Sequence, residues 1–250
     1  MLLAKYGNAD PVRSLGRMRD QVVEVVRDVA GRLRGVQPSG PAASWDELAA
    51  RFREVEGPAE AELRDRLPRG EWVVDALDGA VQFLQGLPQW CVSVALLRDG
   101  EPVLTVLHSP LLGETYVAER GVGAWRDGVP VAPSRKTDLA AAVVATSHPH
   151  ERQPAANAEA GRRLAAVLDR VAAVRNLGPT SWQVADVAAG RLDAFWQFGR
   201  DAENLLGATL VAAEAGAVVT TASGEPWHSG ADSVLVAAPR LHPVVVEVLR

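Results

Sequence analysis

The stretch WVVDALDGAVQF, Trp72 to Phe83, decides the fold. Its first half is apolar and β-branched, and Asp78-Gly79 follows as a turn signal, so it predicts a short strand running into a turn. Downstream, CVSVALL (91–97), PVLTVLH (102–108) and ETYVAE (114–119) are further strand-like runs, separated by Arg98-Asp99-Gly100-Glu101 and Ser109-Pro110. Short turns between such runs predict an antiparallel meander. Upstream, Leu15, Met18, Val22, Val25, Val26 and Val29 recur at helical spacing, which predicts a helix from Ser14 to about Leu33. Val36 to Ser44 is rich in breakers. Ser44 with Glu47 three residues on forms a capping box that opens a second helix reaching Val55. Gly57-Pro58 should interrupt it, with another helical stretch from Ala59 to Leu67.

After Ser134 the pattern changes to alternation. AAVVATS (141–147), AAVRNLG (172–178), LDAFWQF (192–198) and SVLVAA (233–238) read as strands, and AGRRLAAVLDRV, TSWQVADVAAG and AENLLGATLVAAEAG read as helices between them. The halves are therefore 1–135, helices plus antiparallel meander, and 136–250, an α/β half, which makes an α+β and α/β layered sandwich. The 250 residues are 48% hydrophobic and 23% charged, enough for a sizeable shared core and too apolar for disorder. Net charge is −5 with both signs interleaved, which disfavours nucleic acid and anionic membranes as partners. Cys91 is the single cysteine, so no internal disulfide forms, and its place at a strand start marks it as a packing residue. No signal peptide, anchor or apolar span is legible, and a cytoplasmic location is the expectation.

The segment from Trp72 to Val131 resembles the inositol monophosphatase family, whose members carry W-x-x-D-P-[LI]-D-G-T-x-N-F followed by a G-x-P strand meander. GPTSWQVADVAAGRLDAFW (178–196) and GATLVAAEAG (207–216) are similar to that family's second half. The resemblance implies stacked α and β layers, an active site between the halves, a homodimer, and Mg²⁺-assisted hydrolysis of a phosphate monoester. It places the first two metal-binding aspartates at Asp75 and Asp78, with the Leu77 carbonyl between them.

Other family positions depart from the pattern. The threonine that binds metal and orients water falls at Ala80, and the Gly-Glu-Glu motif is missing, leaving Glu71 as the nearest carboxylate and Glu56 as a partial survivor. Counting back without gaps from Glu214-Ala215-Gly216 puts Asn204 at the third metal aspartate and Glu203 at the preceding tryptophan. A three-residue shift makes Asp201 the ligand instead.

These departures lead to an expectation of lost phosphatase chemistry. With the metals gone, Asp75 and Asp78 become a like-charged pair suited to acid and base roles, joined by Glu203 as a catalytic carboxylate. The reading is metal-independent elimination, isomerisation or cyclisation of a small, apolar metabolite of specialised metabolism, with no cofactor. Trp182, Gln197, Trp90, Asn204, His148 and His150 are the candidate substrate-binding residues, since aromatic walls suit apolar ligands. The blander readings are a turn cap for the two aspartates, core packing for the tryptophans and a surface loop for the histidines. The alternative is a weak phosphatase of a sugar or polyol phosphate using one Mg²⁺ at Asp75, Leu77 and Asp78. A second alternative is a silent binding or scaffold homolog.

Overall fold

The computed structural model describes residues 11–36 and 42–250. The start of the chain and most of the loop after Val36 lie outside the described residues. Helices α1 (Pro11–Gly35) and α2 (Trp45–Arg66) lead into strand β1 (Glu71–Asp78) and the short helix α3 (Ala80–Leu84). Strands β2 (Cys91–Arg98), β3 (Glu101–Ser109), β4 (Glu114–Glu119), β5 (Gly123–Arg126) and β6 (Val129–Pro130) follow. Together β1 to β6 form a six-stranded sheet in chain order with antiparallel neighbours, the meander expected of the short turns.

The second half alternates β7 (Val143–Thr146), α4 (Pro154–Leu168), β8 (Ala173–Arg175), α5 (Thr180–Ala188), β9 (Ala194–Phe198) and α6 (Ala202–Glu214). It ends with β10 (Val218–Thr220), β11 (Ser233–Ala237) and α7 (His242–Leu249). The strand order is β10-β11-β9-β7-β8, with β7 parallel to both its neighbours and the other pairs antiparallel.

Side-chain alternation along the strands sorts the apolar residues into layers. On the first sheet, Val92, Val94, Leu96, Leu104 and Val106 face α1 and α2, whereas Cys91, Leu107, Tyr116 and Ala118 face inward to α5 and α6. On the second, Ala145, Phe195, Val234 and Val236 meet those same two helices from the other side. Val144, Trp196 and Leu235 face outward to α4 and α7. The result is five layers, helix–sheet–helix–sheet–helix, with both sheets covered on both faces. Close approach of α6 to the first sheet needs Gly207, because a Cβ there would lie 3.1 Å from Thr105 Cγ2 and 3.2 Å from Ala95 Cβ.

Helix α2 departs from expectation. It runs unbroken through Pro58, because a proline removes only its own N–H while Ala59 and Leu63, just beyond it, are buried against the sheet. Tertiary packing holds the turn that local propensity would open. The capping residues are as read: Ser44 Oγ accepts from Glu47 N at 3.2 Å, though the Glu47 carboxylate reaches back to Ala43 N rather than to Ser44. Among the described residues, no helix is long and apolar enough to cross a membrane.

Candidate functional site

Strand β1 carries the first two carboxylates, and its irregularity is what brings them together. Asp75 pairs with Ser93 and Asp78 with Cys91, so three steps on β1 oppose two on β2, a bulge between Asp75 and Asp78. On a regular strand residues three apart face opposite sides; the extra residue turns both carboxylates to one cleft. Asp75 Oδ1 accepts from Leu77 N at 2.9 Å, which pins its rotamer. Gly79, at φ +94°, then ends the strand, and a Cβ there would lie 2.7 Å from the Gln89 carbonyl oxygen.

The first turn of α5 closes on Asp78 from the other half of the molecule. Ser181 donates its backbone N–H to Asp78 Oδ2 at 3.2 Å and its hydroxyl to the same oxygen. Burial nevertheless pushes the Asp78 carboxyl up to about 6 against these hydrogen bonds, helped by the charge of Asp201. Asp75 is raised well above the usual range by burial and then by repulsion from Asp78, with Glu56 and Glu60 adding to it. Burial, and then Glu60, lift Glu56 to about 7.

The far wall is the start of α6. Asp201 heads that helix without capping it, and burial raises its carboxyl while the amides of Gln197 and Asn204 hold the ionised form. Their nitrogens donate to Asp201 Oδ2 and Oδ1, each at 2.8 Å. The cleft between these walls has a volume of about 410 Å³. Its lining includes the carboxylates of Glu56, Glu60, Asp75, Asp78, Glu151, Asp201 and Glu203, with Arg200 and His150 as the cationic or ionisable counterweights. Among the described residues no Lys or Arg forms an ion pair with Asp75, Asp78 or Asp201, and no three His, Cys, Asp or Glu side chains are already gathered around one point to hold an ion.

The structure thus brings Asp75, Asp78, Glu203, Asn204 and His150 to one cleft. It does not bring Trp182, Trp90, Gln197 or His148 to its surface. Trp182 is buried between the sheets, edge-on to Tyr116 with ring centroids 5.1 Å apart. Trp90 is buried beneath α1 and α2, edge-on to Phe83 at 5.1 Å. Both rings fill layers of the core, where their large apolar area is worth most, so neither tryptophan walls this cleft, and Phe52 is the one phenyl ring among its lining residues. Gln197 is fully buried behind Asp201, and His148 is an exposed loop residue. Cys91 is buried, its thiol pushed up by burial. Sequence reasoning passed over Glu60, Ser181 and Arg200. For Glu60 a signal existed: spacing of four from Glu56 puts both on one helical face once α2 is continuous.

Comparison with known proteins bears on the same residues. Residues 45–250 match the inositol monophosphatase family. An inositol-1-monophosphatase of Rhizobium meliloti (strain 1021) is 37% identical over 164 residues, 64% of this chain and 60% of that protein. In three such relatives the chain spans about three fifths of their length, 57–63%. A fructose-1,6-bisphosphatase/inositol-1-monophosphatase of Thermotoga maritima is 27% identical across 100% of this chain and 90% of its own. Among solved structures, Mycobacterium tuberculosis SuhB superposes with a TM-score of 0.77 at 27% identity, covering 94% of this chain and 96% of that one.

These findings overturn the expectation of a divergent, metal-independent acid–base enzyme of specialised metabolism. Relatives at 34–37% identity bear the names of phosphatases, and nothing in the cleft shows that metal-dependent hydrolysis has been lost. The expectation erred in its weighting: Ala80 and Asn204 lack an anion, but Glu56 and Asp201, set aside there as a partial survivor and as the product of a shifted alignment, both line the cleft, together with Glu60, which was not considered. Fold, layers and matched sequence agree, and the chain belongs to the inositol monophosphatase family.

Proposed function

We propose that this chain hydrolyses a phosphate monoester of a sugar or polyol with the aid of a divalent cation such as Mg²⁺. The observation that carries the reading is the carboxylate-lined cleft, in which the half-buried Asp75 and the buried Asp78 face the same space with no cationic partner among the described residues. A phosphate would be repelled from such a cleft unless positive charge entered with it. The donor set fits a hard cation, since it consists of carboxylate and carbonyl oxygens rather than thiol or imidazole. Asp75, Asp78 and the Leu77 carbonyl are the residues that would hold it.

When bound, the cation supplies charge neutralisation and lowers the pKa of water in the cleft. The chain's own residues provide the positioning. The bulge and the Leu77 N–H aim Asp75, while the Ser181 N–H and hydroxyl fix one oxygen of Asp78. Arg200, whose Nε pairs with Asp232 at 2.8 Å, keeps its other guanidinium nitrogens to offer a phosphate, and His150, Glu203 and Asn204 offer hydrogen-bonding groups to a small polar substrate. The same reading carries a small-molecule substrate, a homodimer, a cytoplasmic setting and two halves meeting near Arg135.

The test is orthophosphate release from a panel of polyol and hexose monophosphates with Mg²⁺ or with EDTA. Release that requires Mg²⁺ is expected. Absence of release across the panel at millimolar Mg²⁺, or equal release in EDTA, would overturn the reading.

A further inference from the structure

We propose that Asp201, one helical turn before Asn204, supplies the cleft's third anionic oxygen, and that Asn204 is a positioning residue that holds Asp201 rather than a group that meets the cation itself. The inference rests on the reading above, that a divalent cation enters this cleft. An alignment without gaps would give the role to position 204, where the side chain is a neutral amide. The structure places a carboxylate beside that amide instead.

Two independent features set Asp201 apart from an ordinary helix-capping aspartate. First, it occupies the N-cap of α6, yet its side chain makes no hydrogen bond to the helix's own N–H groups. An N-cap Asp ordinarily spends its oxygen on the second or third amide of the helix. Here that oxygen is free of the backbone, and Asp201 lines the cleft. Second, it is held from both sides. Asn204 Nδ2 donates to Oδ1 and Gln197 Nε2 donates to Oδ2, each at 2.8 Å.

Gln197 is itself fully buried, and its Oε1 faces Thr180 Oγ1 at 3.4 Å, so its nitrogen is the end turned to Asp201. Two amide donors on one carboxylate call on both oxygens as acceptors and leave each a second lone pair for the cleft. This is the arrangement of a ligand oriented by hydrogen-bonding partners behind it. Asp201 and Asp78 both line the cleft, so the two walls face a shared space. The acidic group has in effect moved back one turn along α6, and the residue left at 204 keeps it in place.

The experiment is Mn²⁺ binding to the full chain, followed by the electron paramagnetic resonance signal of free Mn²⁺, in wild type and in Asp201→Asn, Asn204→Ala and Asn204→Asp. Asn is a good N-cap residue, so Asp201→Asn should keep α6 intact, and thermal melts without metal verify this. Asp201→Asn is expected to weaken Mn²⁺ binding about tenfold or more, and Asn204→Ala severalfold. Asn204→Asp should bind no more tightly than wild type, because it replaces a donor with a like charge beside Asp201. Tighter binding by Asn204→Asp, or wild-type affinity in folded Asp201→Asn, overturns the inference and leaves the cation reading standing. No Mn²⁺ binding by wild type overturns the cation reading itself.

Discussion

Ser181 and Asp78 are 103 residues apart in sequence, and the serine gives both its N–H and its hydroxyl to a single oxygen of the aspartate. One residue ends a strand of the first sheet and the other lies in the first turn of a helix between the sheets. Hydrogen bonds to the ionised form oppose the burial that lifts the Asp78 carboxyl. Ser181→Ala should therefore raise that carboxyl further above about 6 and weaken divalent-cation binding roughly tenfold. It should also lower stability by about 1.5–3 kcal/mol, the worth of a hydrogen bond to a charged group. Isothermal titration with Mg²⁺ and a denaturant melt check the two parts separately, and a variant equal to wild type in both would remove Ser181 from any positioning role.

Asp75 and Asp78 carry raised carboxyls, so the sign of their stability contribution is fixed. Between the unfolded value of about 3.9 and the folded value, the folded state holds the extra proton. Their contribution is thus fully present below the unfolded value and lost as pH rises through the folded one. Metal-free protein should melt lower at pH 8 than at pH 5.5, and Asp75→Asn should flatten that difference. The same variant should lose ~100-fold or more of any Mg²⁺-dependent phosphate release, if an anionic ligand counts for at least as much as the groups that orient it. Melting curves across pH in EDTA provide the check; an Asp75→Asn slope identical to wild type would contradict the burial argument.

Glu56 sits on α2 with its carboxyl lifted to about 7. Below that pH it is neutral and resembles a glutamine; above it, the side chain adds an anion to the cleft wall. Glu56→Gln should accordingly match wild type in Mg²⁺ affinity at pH 6 and fall below it, by roughly tenfold, at pH 8.5. A defect of equal size at both pH values would point to packing instead of charge.

Pro58 lies inside a continuous α2. Replacing it with alanine restores the missing N–H and relieves the ring's clash with the preceding turn, so Pro58→Ala should stabilise the protein by about 1–3 kcal/mol. A loss of stability in chemical denaturation would mean that the proline's ring, rather than the buried Ala59 and Leu63, sets the helix's seat on the sheet.

Much of the architecture was legible because it rests on local rules. The strand runs at Cys91, Pro102 and Glu114 and their Asp-Gly and Ser-Pro turns state an antiparallel meander, and the helical stripe of Val22, Val25, Val26 and Val29 states its buried face. Strands of three residues, such as Val218–Thr220, are too short to show a period. The continuity of α2 was hidden because its support comes from a sheet formed later in the chain.

The site divides in the same way. Sequence by itself determined which carboxylates and which turn were available, since Asp75, Leu77, Asp78 and Gly79 are adjacent and their spacing is a covalent fact. Only the tertiary structure decided that Asp201 and Glu56 join them while Trp182 and Trp90 do not. The reason is physical: side-chain direction depends on a bulge, on a helix carried through a proline and on two amides behind one carboxylate, and each of these is a relation between distant segments.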